Sequence, residues 1–214
     1  MKCMTLSVAA LSCLSFSATA SAQTWTVPTP SERCPSKWGA DDTRGSATHM
    51  KPESVLKAVR LIKTGEVIEI GQVLSAAMPF FGTRRFDVTT KRTFMNDGSN
   101  HRGSNEELVV GEMGQIGTQF DGFAHQTHED SLYNCLKLDD IATRSGFTKL
   151  GIEKVGSLIT RGVLIDVAAF KGVEMLPDTY EITPADLQQA LERQRLTLQP
   201  GDAVLIHTGW GKLY

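Results

Sequence analysis

The sequence predicts an α/β fold with a mixed, barrel-like β-sheet and flanking helices. Short apolar segments typical of strands lie between segments with helical periodicity. They do not follow the regular strand–helix–strand alternation of a doubly wound parallel sheet. The 214 residues are 41% hydrophobic and 21% charged, which is the composition of an ordinary globular protein and a length that suits one domain.

The first 22 residues have the pattern of a secretory signal peptide. Lys2 provides a short positive region, residues 4–18 are mostly apolar or small, and Ala20-Ser21-Ala22 matches an A-x-A cleavage site. The apolar stretch is shorter than the roughly 20 residues that a membrane span needs. We therefore expect an exported protein, periplasmic or secreted, with no membrane span.

The charge and the cysteine content indicate which kinds of partner and which cellular compartment to expect. The formal net charge is −2 and the lysines and arginines form no block, so nucleic acid is not an expected partner. We expect a small-molecule substrate and a homo-oligomer. Cys34 and Cys135 remain after loss of the signal peptide. In an oxidising compartment they either form one disulfide or stay as two unpaired thiols, and the sequence leaves both open.

Residues 23–51 are rich in Thr, Pro, Ser and Asp and predict an extended N-terminal arm before a domain over residues 52–214. In the arm, we interpret Trp38-Gly-Ala-Asp-Asp42 as an anchor with a buried indole and a capped turn; the alternative is a lid near the site. Pro52–Lys63 predicts a helix, because proline suits its first position and apolar residues recur on one face. Val67–Leu74 predicts a strand.

Residues 75–105 predict a long loop, because they contain few apolar pairs and many polar residues and glycines. The loop precedes the most polar motif of the chain. One interpretation is a flap whose Phe80 and Phe81 contact a flat substrate. An edge hairpin or a disordered loop explains the composition equally well. Leu108-Val109-Val110 then begins a strand.

The C-terminal half predicts a short helix over Leu136–Thr143 and a buried strand over Val163–Val167. A capped helix is predicted from Thr183 onward, and a last strand over Asp202–Gly209. Thr183, Pro184 and Asp186 have the pattern of a helix N-cap. Asp166 lies among apolar residues and needs a polar partner if it is buried. We place His207 at a strand end rather than in the site.

The segment from Glu112 to His125 contains the residue types of a reactive site beside three glycines. Residues four apart lie roughly 13 Å apart along a strand, but only about 5–6 Å apart on a helical turn. We therefore expect the chain to leave a strand near Gly114 and to bend through Gly117 and Gly122. The polar side chains that would then converge are Gln115, Gln119, Asp121 and His125.

This segment resembles the signature of the metal-dependent cyclase family, which includes bacterial kynurenine formamidases and isatin hydrolases. The signature reads His-x-Gly-Thr-His-x-Asp-x-x-x-His, and here it reads Gln115-x-Gly117-Thr118-Gln119-x-Asp121-x-x-x-His125. Glutamines stand where the family has its first two metal-binding histidines. The block ending in Thr-Gly-Trp210 is also similar, which implies that Trp210 lines the pocket. The resemblance covers most of residues 35–214 and implies the family's swivelling β/β/α fold.

The resemblance implies a divalent metal ion, Mn, Mg or Zn, that activates water for attack on an amide or lactam carbonyl. It implies an arylformamidase-like hydrolase of C–N bonds other than peptide bonds, with Asp121, Gln115 and Gln119 as metal ligands and His125 as the catalytic acid or base. Amide oxygens favour harder ions than zinc. Two alternatives stay open: a non-catalytic binding protein of this fold, and a metal-independent hydrolase or cyclase that uses Asp121 and His125.

Members of the resembling family continue beyond the position of Tyr214 with another strand and helix and with further metal ligands. We therefore interpret the chain as a fragment whose C-terminal part is missing. This interpretation predicts that the intact reading frame extends past Tyr214.

Overall fold

The computed structural model describes residues 26–95, 103–112 and 114–213. It confirms a mixed α/β fold. The helices are α1 (Pro30–Arg33), α2 (Pro52–Val59), α3 (Leu138–Ile141), α4 (Val167–Lys171) and α5 (Pro184–Gln194). The strands are β1 (Phe86–Met95), β2 (Gly103–Gly111), β3 (Ala142–Thr143), β4 (Gly146–Phe147), β5 (Gly162–Asp166) and β6 (Ala203–His207). The predicted signal peptide lies outside the described residues.

Three two-stranded sheets are present in the described part of the chain. β1 and β2 form an antiparallel hairpin that begins with Phe86 opposite Gly111. β3 and β4 form a short antiparallel pair. β5 and β6 are parallel and in register, so that Asp166 lies opposite His207 at their carboxyl ends. The barrel-like joining of these sheets stays a prediction.

One core packs α5 against β5. Ile165, Val167, Leu176 and Ala190 are buried together. The helix begins as predicted, because Thr183 Oγ1 accepts a hydrogen bond from Asp186 N at 3.2 Å and the Asp186 carboxylate accepts one from Thr183 N at 2.9 Å. This reciprocal cap fixes the start of α5, and the burial of Ala190 fixes its inner face.

The Asp186 carboxylate is buried beside this core. It contacts the Lys171 ammonium and accepts a hydrogen bond from Tyr180 Oη at 3.0 Å. The Lys171 ammonium, together with the cap bond from Thr183 N, holds the pKa of Asp186 well below its ordinary value, against the opposing effect of burial. The buried charge is therefore paired and hydrogen-bonded, as a stable fold requires.

A second core lies beneath the polar motif. Leu132, Ile141 and Leu150 are buried in it. The ring of Phe123 stacks on Tyr133 with centroids 4.1 Å apart. Phe123 belongs to the motif, so this stacking fixes the end of the motif to the segment that precedes α3.

The N-terminal arm is tied to the same region. Cys34 and Cys135 form a disulfide with Cα atoms 5.8 Å apart, so the paired alternative is the one observed. Asp42 accepts hydrogen bonds from Tyr133 Oη at 2.6 Å and from Gly45 N at 2.8 Å. Trp38 packs edge-on against His49 at 5.6 Å. These contacts favour the anchor interpretation of the Trp38–Asp42 segment over the lid.

Four sequence predictions need adjustment. The strand predicted over Val67–Leu74 is wrong, because the segment carries no strand pairing and its apolar side chains are largely exposed. The helix from Pro52 ends at Val59. Residues 75–105 contain β1 and the start of β2, which matches the hairpin alternative. The arm is not extended throughout, since it contains α1 and a 3-10 turn over Gly45–His49. In the described residues, no helix is long and apolar enough to cross a membrane.

Candidate active site

The polar motif follows β2 as a series of bends, as the sequence predicts. Gly117 has φ +109°, and a Cβ atom there would lie 2.7 Å from Leu74 Cδ2. A Cβ atom on Gly114 would lie 2.9 Å from His125 Cε1. Both positions therefore need glycine, the first for its backbone conformation and for space, the second to let the imidazole approach the backbone. Gln72 N also donates to Thr118 Oγ1 at 2.8 Å, which fastens the outer side of the bend.

The bend brings three of the predicted polar side chains together. Gln119 Nε2 donates to both oxygens of Asp121, at 3.3 and 3.2 Å. His125 Nε2 lies 3.7 Å from Asp121 Oδ2. The imidazole and the carboxylate remain 29% and 38% exposed, respectively. A carboxylate and an imidazole are therefore adjacent, accessible and not locked to each other by a hydrogen bond.

Gln115 acts through its backbone. Its φ is +62°, a left-handed conformation, and its N–H donates to Gln119 Oε1. That bond orients the Gln119 carboxamide, because the oxygen is taken by the N–H and the amino group must face Asp121. The Gln115 side chain itself is exposed.

Asp121 and His125 line a cavity of about 590 Å³, a volume that suits a small ligand. Asp121 also lines a second cavity of about 300 Å³, so the carboxylate lies between two spaces. Besides residues of the motif segment itself, the larger cavity is lined by residues of the arm and of the segment before α3, which include Arg33, Cys34, Tyr133 and Asn134. Cys34 and Cys135 are the one indirect signal of this in the sequence, because their disulfide brings those two segments together.

The residues predicted to bind substrate lie elsewhere in the described structure. Phe80 is half-buried, and Phe81 is 70% exposed with the Arg84 guanidinium 5.2 Å from its ring centroid. Trp210 Nε1 donates to Leu176 O at 3.0 Å. None of the three lines the cavity of Asp121 and His125. Their role in substrate binding stays a prediction.

The donor set at this point does not fit the divalent metal ion that the resemblance implies. Gln119 presents its amino group, which cannot bind a cation, and its oxygen is used by Gln115 N–H. Among the described residues at this point, Asp121 and His125 then leave two ligands, where catalytic zinc sites use three. In the part of the chain that the structure describes, no group of three or more His, Cys, Asp or Glu side chains is placed to hold a metal ion.

A second aspartate–histidine pair lies at the carboxyl ends of β5 and β6. His207 Nδ1 is 2.9 Å from Asp166 Oδ1, and Asp166 Oδ1 also accepts from Ala169 N at 2.9 Å. The hydrogen bond to His207, followed by the one from Ala169 N, lowers the pKa of Asp166. Asp166 thus has the partner that its position requires, and His207 lies at a strand end as predicted.

Comparison with known proteins identifies the family. The sequence matches the model of the Cyclase family, whose description is "Putative cyclase", over residues 68–214, which is more than half of the chain. This match includes the whole polar motif and the second aspartate–histidine pair. No curated protein matches the sequence.

A solved structure agrees with this assignment. The fold is similar to a crystal structure described as a novel cyclase, with a TM-score of 0.74 and 35% sequence identity. The similarity covers 82% of this chain and 61% of that chain, so the sequence spans about three fifths of that protein's length. With the family model and the solved structure in agreement, the chain belongs to the cyclase family.

Proposed function

We propose that this protein is a hydrolase of the cyclase family that cleaves the C–N bond of a small amide or lactam. The observation that carries the proposal is the pair of Asp121 and His125 at the wall of a cavity of about 590 Å³. An accessible imidazole beside a carboxylate is suited to accept and return a proton near neutral pH.

In the proposed reaction, His125 takes a proton from a water molecule as the water oxygen attacks the carbonyl carbon. The Asp121 carboxylate stabilises the imidazolium that forms, because opposite charges at close range favour the charged form. The tetrahedral intermediate collapses with breakage of the C–N bond. His125 returns its proton to the leaving nitrogen, and the products are a carboxylic acid and an amine.

Gln119 has a supporting role in this proposal. Its amino group holds the Asp121 carboxylate through two hydrogen bonds and is itself oriented by Gln115 N–H. The carboxylate is therefore held at the cavity wall by hydrogen bonds and needs no cation to position it. This arrangement favours the metal-independent use of Asp121 and His125 over the metal-dependent scheme.

The disulfide supports action outside the cytoplasm. Cys34 and Cys135 are 101 residues apart in sequence and paired in the structure. Structural disulfides form and persist mainly in oxidising compartments. We therefore propose that the enzyme is exported, which agrees with the signal-peptide pattern of the first 22 residues.

Hydrolysis of N-formylkynurenine by purified full-length protein tests the proposal. We expect turnover that survives dialysis against a chelator, and a loss of about 10²-fold or more in kcat/KM for His125→Ala. His128→Ala, which changes an exposed imidazole three residues away, is the matched control and should retain activity.

Two results would contradict the proposal. Activity that is lost on chelation and restored by Mn, Mg or Zn would support the metal-dependent mechanism instead. Absence of turnover with N-formylkynurenine and with a panel of lactams, in a protein that still binds them, would favour the non-catalytic binding protein. Each result is read from the same preparation, after its folding has been checked by circular dichroism.

A further inference from the structure

Arg33 contributes a positive charge to the wall of the cavity that holds Asp121 and His125. Arg33 is the last residue of α1, in the N-terminal arm, about 80 residues before the start of the polar motif. Among the lining residues it is the one permanent cation. The sequence motif gives no indication of it, because the arm and the motif meet only in the folded chain.

The guanidinium of Arg33 has an unused donor. Its Nε atom is buried and has no hydrogen-bond partner among the described residues. A buried donor without a partner costs about 1–3 kcal/mol, so such groups usually have a function or a ligand. Arg33 also forms no ion pair with a described acidic residue within 4.0 Å, although Asp121 lines the same cavity.

The nearest acidic residue in sequence is already engaged. Glu32 Oε2 accepts from Thr29 N and Thr29 Oγ1, both at 2.7 Å, and so closes the first turn of α1. These hydrogen bonds lower the pKa of Glu32 and keep its charge at the helix start. The carboxylate next to Arg33 in sequence is therefore hydrogen-bonded to Thr29.

The arm around Arg33 is held in place from both sides. Cys34 is joined to Cys135, and Asn134 Oδ1 accepts from Ser36 N at 2.5 Å. Asn134 Nδ2 donates to Gly39 O at 3.0 Å. The disulfide and these bonds fix the backbone on the C-terminal side of Arg33, which lowers the conformational entropy that must be lost when its side chain binds a ligand.

We propose that Arg33 binds a carboxylate of the substrate. The planar guanidinium carries N–H donors in a fixed geometry that matches the oxygens of a carboxylate. Because Nε is buried, the contact is assigned to the terminal Nη groups. The inference rests on the proposed function and narrows it: the substrate is a small amide or lactam that carries a carboxylate, with the carboxylate on Arg33 and the reacting carbonyl at Asp121 and His125.

Binding of benzoate and of its neutral isostere benzamide tests the inference without turnover. In calorimetric titrations at low ionic strength, we expect the full-length protein to bind benzoate at least about tenfold more tightly than benzamide, as a charge-assisted bond implies. Arg33→Gln should remove this preference and leave benzamide binding unchanged. Arg33→Lys should restore part of it, since it keeps the charge but loses the planar guanidinium.

Lys37→Gln is the matched control. It removes one positive charge from the same arm at a side chain that lies over the Trp38 ring, outside the cavity. Circular dichroism and thermal melting confirm that all variants are folded. Equal binding of the two probes to the unaltered protein, an unchanged preference in Arg33→Gln, or an equal loss in Lys37→Gln would each overturn the inference.

Kinetics separate this inference from the proposed function. With N-formylanthranilate and formanilide as substrates with and without a carboxylate, Arg33→Gln should raise KM about tenfold for the first and leave the second unchanged. Benzoate binding through Arg33 without hydrolysis of either compound would retain the inference and reject the hydrolase. Hydrolysis of both compounds with KM values unaffected by Arg33→Gln would support the hydrolase and reject the role of Arg33.

Discussion

The two aspartate–histidine pairs of this protein differ in how the fold places them. Asp166 and His207 are opposite each other in a parallel strand pair, and the register brings their side chains to 2.9 Å. Asp121 and His125 come from one continuous bend and remain 3.7 Å apart at a cavity. The strand pair is joined by a hydrogen bond, whereas the pair at the bend is not joined by one and lines a cavity.

This difference shows that residue type alone does not identify a reactive pair. Both pairs combine the same side chains, and both lie in the region that matches the family. Asp166 Oδ1 is hydrogen-bonded to both His207 Nδ1 and Ala169 N–H. Both oxygens of Asp121 accept from Gln119, and the carboxylate lines a cavity large enough for a small ligand.

The largest expected effect is on catalysis and separates the two pairs directly. Asp121→Asn should lower kcat/KM by about 10²-fold or more, because the neutral amide no longer stabilises a protonated His125. Asp166→Asn, the matched change in the other pair, should keep kcat/KM within about threefold. Steady-state hydrolysis of N-formylkynurenine measures both. Equal losses in the two variants would show that the comparison assigns the wrong roles.

Removal of the disulfide should weaken the cavity region more than the strand pair. The double variant Cys34→Ser/Cys135→Ser opens a loop whose ends are 101 residues apart in sequence, and we expect the free energy of unfolding to fall by about 2–4 kcal/mol. Urea denaturation gives that value. Hydrogen exchange should show faster opening around Tyr133 than around Ile165; uniform opening would contradict this division.

A third prediction uses the glutamines at the bend. The double variant Gln115→His/Gln119→His replaces two carboxamides by imidazoles, the exposed one of Gln115 and the one of Gln119 that donates to Asp121. Zinc affinity should therefore rise at least about tenfold. Equilibrium dialysis measures it, with Gln199→His as a control that adds one imidazole away from the cavity. Unchanged zinc affinity in the double variant would mean that the two positions do not correspond to ligand positions.

The smallest expected effect concerns acid stability. The folded-state pKa of Asp166 is lowered, so its contribution is present above the unfolded value near 3.9 and is lost as pH falls through the lower folded value. Because the pair is partly exposed, we expect less than about 1 kcal/mol. Unfolding of the Asp166→Asn variant and of the unaltered protein between pH 2 and pH 6 measures it. A difference that grows at low pH would contradict the sign.

Local signals in the sequence were sufficient for several elements. Thr183 and Asp186 predict the start of α5, because a helix cap depends on neighbouring residues only. The glycine-rich bend and the proximity of Asp121 and His125 follow from spacing within one segment. The parallel partner of β5 and the in-register pairing of Asp166 with His207 did not follow, since they join residues 41 apart in sequence.

Non-local pairing explains the failures. Val67–Leu74 has the composition of a strand, but a strand needs a hydrogen-bonded neighbour, and the described structure pairs it with none. Arg33 and Tyr133 reach the cavity through the disulfide and the packing of the second core, which spacing alone cannot show. Spacing likewise does not show that Phe80, Phe81 and Trp210 lie outside this cavity, and their role in substrate binding stays a prediction.

Cys34, which is bonded to Cys135, lines the cavity, and this has a consequence for how the protein matures. If the protein is exported as proposed, its thiols are free before export, and the arm that carries Arg33 then has no covalent link to Cys135. We expect substrate recognition to be acquired only on oxidation, so that a newly made chain is inactive towards carboxylate-bearing compounds inside the cell. Production for assays should accordingly be directed to an oxidising compartment.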